Sequence, residues 1–107
     1  MFGIVILTCP SEFVETITTT LLKKRLAAAI NIIPTIQSWY WWENTVRSKE
    51  ESLLLVKTHT TQFAKLEQTV KELHPYQVPS IVMLPIISGT DDYLNWISRE
   101  VNVSMDF

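Results

Sequence analysis

The sequence predicts an α+β fold, and three observations carry that prediction. Short apolar runs rich in β-branched residues alternate with segments of helical spacing. Their order along the chain is β-α-β-β-α-β with one further C-terminal helix. The length of 107 residues suits a single domain, 1–107, that buries roughly two-thirds of its unfolded surface. This order matches the split βαβ, or ferredoxin-like, motif, in which right-handed crossovers place both main helices on one face of a four-stranded antiparallel sheet.

Phe2 to Thr8 is an apolar, β-branched run closed by Cys9-Pro10-Ser11, and reads as a buried first strand. Ser11 is placed as an N-cap. Glu12 and Glu15 follow in the first helical turn and Lys23, Lys24 and Arg25 in the last, the charge order a helix dipole favours. Val14, Ile17 and Leu21 recur at helical spacing, while the threonines between 16 and 20 make this helix dependent on packing. From Ala29 to Glu43 helical spacing is lost and the run Ser38-Trp-Tyr-Trp-Trp-Glu43 favours a strand, kinked or bulged near Pro34. Asn44-Thr45 is the expected turn, with Val46 to Thr58 returning as the partner strand. Phe63, Leu66, Val70 and Leu73 form one face of a second helix, with Glu67 and Lys71 paired on the other. Pro75 stops it near His74. Ile81 to Ile87 is the fourth strand, and Thr90 or Asp91 caps a last helix carrying Leu94, Ile97 and Val101.

A sheet covered on one face should alternate apolar with polar residues, yet Gly3–Leu7, Leu53–Val56 and Ile81–Leu84 are apolar on both faces. One short C-terminal helix hides only part of the second face. With four tryptophans in so small a chain, association of identical subunits is the economical solution.

Composition excludes several classes of function. Nine Lys+Arg against eleven Asp+Glu give a net charge of −2, without the basic surface a nucleic-acid partner requires. The aromatics of 39–42 lack the positive groove of a single-strand binder. No apolar stretch approaches a membrane span, so no membrane partner is expected. One cysteine, Cys9, cannot form an intrachain disulfide, and a cytoplasmic location is expected. With only Gly3 and Gly89, neither a dinucleotide fingerprint nor a phosphate loop can be written. Cys9 reads as a buried inert thiol, and the pairs Glu50-Glu51 and Asp91-Asp92 as solvated faces or caps. His59 reads as a surface or cap residue. His74 satisfies helix-end carbonyls or binds a ligand, and neither histidine has a second ligand at helical metal-site spacing. No nucleophile–base pair is legible, so the expectation is a protein that is not an enzyme. The anion loop of a ferredoxin-fold hydrolase normally includes an arginine, and Thr8-Cys-Pro-Ser-Glu12 has none.

Taken together, Thr8-Cys-Pro10, Arg25-Leu-Ala-Ala28, Asn31-Ile-Ile-Pro34, Ser38-Trp-Tyr-Trp-Trp-Glu43, Lys57-Thr58, Leu73-His-Pro-Tyr76 with Val78-Pro79, Leu84-Pro-Ile86, Tyr93-Leu94 and Trp96-Ile97 resemble the CutA family of divalent-cation tolerance proteins. The resemblance spans about Ile4 to Ile97, and its Trp-Glu and His-Pro-Tyr-x-Val-Pro blocks are its most specific parts. It implies a ferredoxin-like fold, a tight homotrimer akin to the PII signalling proteins, a link to tolerance of copper and other divalent ions, and no catalytic activity. It also implies that Trp42, Glu43, Lys57, His74 and Tyr76 cluster around a cleft between subunits, with His74 as the metal contact. Ala29, Gln77 and Ser80 stand where the family often has a cysteine or acids. Weak coordination of copper or another divalent cation is therefore expected, with no obligatory cofactor. The competing reading is a PII-like sensor of a small anionic ligand, with His74 and Lys57 as polar handles.

Overall fold

The computed structural model describes residues 1–101. Its elements are β1 (Phe2–Cys9), α1 (Val14–Lys23), β2 (Ala29–Trp42), β3 (Thr45–His59), α2 (Phe63–Leu73), β4 (Ile81–Pro85) and α3 (Asp91–Glu100). Single 3-10 turns at Ser11–Phe13 and Thr60–Gln62 lead into α1 and α2. The sheet order is β2-β3-β1-β4 with every pairing antiparallel, which is the split βαβ arrangement.

Val5, Leu7 and Cys9 of β1 and Leu54 and Val56 of β3 pack beneath α1 and α2, meeting Ile17, Leu21, Leu66 and Val70. These residues are at 0% exposure, so the interior is dry where the helices cover the sheet. Helix α3 packs against β3, with Ile97 fully buried outside that cluster, and Arg25 ties its end to α1 through Glu100 at 2.8 Å. Thr90 caps α3 by accepting from the Tyr93 N–H, as expected.

Three local details differ from expectation. Ser11 caps no helix; its hydroxyl lies 3.3 Å from the Ser52 hydroxyl, drawn there by a long-range partner. The hairpin turn is Glu43-Asn44, with φ of 51° and 62°, because a two-residue loop matching the twist of its strands needs both residues left-handed. Trp42 therefore pairs with Thr45. The fourth strand ends at Pro85, two residues short of Ile87.

The irregularity at Pro34 positions the rest of the molecule. Ile33 pairs with Leu53 and Ile36 with Glu51, so Pro34 and Thr35 oppose Ser52 alone. Ser52 donates to the Pro34 carbonyl at 2.8 Å across this bulge. One extra residue inverts the strand's parity. Before it, Ile30 and Ile32 share the face of Val56 and Leu54; after it, Ser38, Tyr40 and Trp42 share the face of Lys49, Arg47 and Thr45. Strand β1 stops pairing at Cys9–Ser52, so the rest of the β2–β3 hairpin leaves the sheet as a two-stranded ribbon, roughly 20 Å long at ~3.3 Å per residue. This ribbon gives the molecule extents of 47 × 26 × 23 Å.

Candidate functional site

A cavity of about 560 Å³ opens where the ribbon leaves the sheet, beside the loop after α2. Its aromatic wall includes Tyr40, Trp42 and Tyr76, and its charged groups are Arg47, Lys49 and Glu51. Thr8, Ser38 and Ser80 add small polar groups.

Tyr76 organises this end of the molecule. Its hydroxyl donates to Glu51 Oε2 at 2.9 Å, and the Lys49 ammonium stands 3.3 Å from its ring centroid and 4.8 Å from that of Tyr40. Burial and the Glu51 carboxylate push the phenol well above its usual titration range, so it remains a donor. Glu51 is only 3% exposed, although as half of a Glu-Glu pair it was expected on a solvated face or cap. The correction has a physical cause: Tyr76 folds over the start of the buried part of β3 and supplies the hydrogen bond that a buried carboxylate needs. The nearby Cys9 thiol is pushed up to about 11, first by burial and then by Glu51, in keeping with an inert thiol.

His74 is buried at the end of α2. Its Nε2–H donates to the Thr8 carbonyl at 2.7 Å, and its Nδ1 accepts from the Tyr76 N–H at 3.2 Å, which defines one tautomer. Its ring lies 4.6 Å from that of Tyr76. His74 therefore sets the path of the loop that carries Tyr76 over Glu51.

Of the five residues singled out, Trp42 and Tyr76 line the cavity and His74 braces it from behind. Glu43 sits in the ribbon turn, exposed, 3.4 Å from Arg47. Lys57 pairs across from Ala29, roughly 40 Å along the hairpin from Trp42, and donates to Asn31 Oδ1. Within one chain these two do not meet the others. Tyr40 belongs to the aromatic run 39–42 that the sequence singles out, whereas the residues missed are Lys49, Glu51 and Arg47. Their only sequence signal is the two-residue spacing of 47, 49 and 51 on one strand face, which acquires meaning once the ribbon register is known. Among the described residues no group of three His, Cys, Asp or Glu side chains could hold a metal ion, and no helix is long and apolar enough to cross a membrane.

A split-βαβ sheet with an extended aromatic hairpin and a cleft at its root defines a small α+β protein of the ferredoxin-like class. Residues 3–100 match the family model described as CutA1 divalent ion tolerance protein. The chain is 50% identical over 98 residues to the divalent-cation tolerance protein CutA of Thermus thermophilus, covering 91% of this chain and 95% of that one. The solved Thermus thermophilus structure superposes with a TM-score of 0.92 at 47% identity, over 94% of this chain and 99% of that one. CutA1 from Oryza sativa gives 0.92 at 36% identity, over 96% and 95%. A structure from Archaeoglobus fulgidus, described as a periplasmic divalent cation tolerance protein, gives 0.91 at 38% identity, over 94% and 98%. The chain belongs to the CutA family.

Proposed function

We propose that this protein is a cytoplasmic, non-enzymatic homotrimer that serves divalent-metal tolerance through weak, direct contact with copper or a similar divalent cation. The observation that carries the assembly is the ribbon, whose Trp39 and Trp41 are 67% and 72% exposed on strands with no layer of their own chain beneath them. A neighbouring copy supplies that layer, and brings groups such as Lys57 and Glu43 to a cleft that one chain leaves unfinished.

For the cation, His74 already has the arrangement of a metal-binding imidazole in one respect: its Nε2–H is anchored on a backbone carbonyl, which orients the ring. Coordination falls to Nδ1 and requires release of the longer bond from the Tyr76 N–H. That cost, and the lack of a three-ligand group within the described residues of one chain, make the contact weak. Titration calorimetry with Cu(II) and Zn(II) on wild type and His74→Ala, each confirmed as the same oligomer, tests this. The expectation is weak binding by wild type and a loss of about tenfold or more in the variant. Equal affinity removes His74 from the site, and no binding in either removes direct metal contact.

A second reading, a trimeric PII-like sensor of a small anionic ligand, is favoured by one observation. Two cations and one carboxylate line the cavity, and Lys49 makes no ion pair among the described residues. With Arg47 paired to Glu43, the Lys49 ammonium is the cation that the cavity offers to an anion. The polar handle is then Lys49, with His74 behind the wall and Lys57 arriving only from another copy.

A further inference from the structure

The anionic-ligand reading acquires a definite chemistry from the groups in the cavity. The Lys49 ammonium is held in place by two aromatic rings, a geometry that leaves its donors for an incoming acceptor. Glu51 is buried, yet only its Oε2 is occupied, by Tyr76; its Oε1 has no hydrogen-bond partner among the described residues. Glu51 lines the cavity, where this oxygen is open to a donor. Tyr40, Trp42 and Tyr76 present flat apolar surface between these groups and the ribbon. A carboxylate oxygen at a cavity wall takes a donor, from water or from a ligand.

We propose that the cavity at the root of the ribbon binds a small planar aromatic carboxylate that also carries an N–H donor, with the carboxylate on Lys49, the N–H on Glu51 Oε1 and the ring against Tyr40 and Trp42. This rests on the anionic-ligand reading and adds the two features, ring and donor, that the reading alone does not require. Its volume of about 560 Å³ accommodates such a molecule together with bridging water. A simple inorganic anion leaves the aromatic wall and Glu51 Oε1 without partners. The mode needs no covalent step and every group it uses belongs to one chain.

The experiment is calorimetric titration of the wild-type protein with four probes: indole-3-acetate, indole, benzoate and inorganic phosphate. Indole-3-acetate is expected to bind tightest. Indole, without the carboxylate, and benzoate, without the donor, should each be roughly tenfold weaker, the usual worth of one charge-assisted hydrogen bond. In Lys49→Met the advantage of indole-3-acetate over indole should vanish, and in Glu51→Gln its advantage over benzoate should shrink. Unchanged oligomer mass and circular dichroism establish that the variants fold, and Lys49→Met alone suffices should Glu51→Gln not fold. If benzoate or phosphate binds as well as indole-3-acetate and Lys49→Met abolishes it, the anionic reading stands and the ring-and-donor inference is overturned. If no anion binds the wild-type oligomer, both are overturned.

Discussion

The two ends of the β2–β3 hairpin are built to different rules. Where β1 lies alongside, Leu54 and Val56 are fully buried beneath two helices, and alternate positions carry the packing of a one-chain interior. Past Ser52 the same two strands pair only with each other. There Trp39, Trp41 and Val46 are exposed on one face, while Tyr40, Trp42 and Lys49 are half-buried on the other around the cavity, which Trp41 also lines. A two-stranded ribbon is marginal in water by itself. Its aromatic side chains therefore do little for the stability of one chain, and the bulge at Pro34 sets the face on which Tyr40 and Trp42 lie.

Substitutions in the two halves should separate these roles. The largest effect on folding is expected from Leu54→Ala, which opens a cavity in the fully packed end and should cost about 3 kcal/mol in urea unfolding. Trp39→Ala with Trp41→Ala should leave the helical content of the chain unchanged while lowering the oligomer mass in light scattering; loss of the fold instead would erase the distinction between the ends. Tyr76→Phe, at the junction, strips a buried carboxylate of its donor and should cost roughly 1–3 kcal/mol, while the ring beneath Lys49 is kept.

The element order was legible in sequence because strand-favouring runs alternate with helical spacing such as Leu66–Val70, whereas the buried face of β1 and β3 was not, since Gly3–Leu7 and Leu53–Val56 are apolar on both faces. The bulge was legible as well, since Pro34 cannot donate to a ladder. The site was only partly so. Trp42, His74 and Tyr76 stand out as residue types, but the burial of Glu51 arises from a loop reaching back across 25 residues, and no local pattern encodes that contact. Nor did sequence reveal that Ser11 turns to Ser52 in preference to capping a helix.

A pH prediction follows from the packed end. The Cys9 thiol titrates at about 11 in the folded protein, against an unfolded value near 8.5–9. Folding thus disfavours the thiolate, so stability from this group is unaffected below the unfolded value and falls as pH rises from about 9 to 11. Cys9→Ala should flatten that alkaline limb of the unfolding midpoint, and alkylation of native Cys9 at neutral pH should be slow. The smallest effect is expected at the ribbon tip. Asn44→Gly suits the left-handed conformation of the turn, and should change stability by no more than ~0.5 kcal/mol in the stabilising direction.

The contrast between the two ends of the hairpin is tested most directly by the mass of the native protein. Light scattering after size exclusion at micromolar concentration should give three times the 12.4 kDa of one chain, with Trp39 and Trp41 quenched or shifted as buried residues. A species of 12.4 kDa that keeps its fold would show that the ribbon stands alone in water, and would contradict the account.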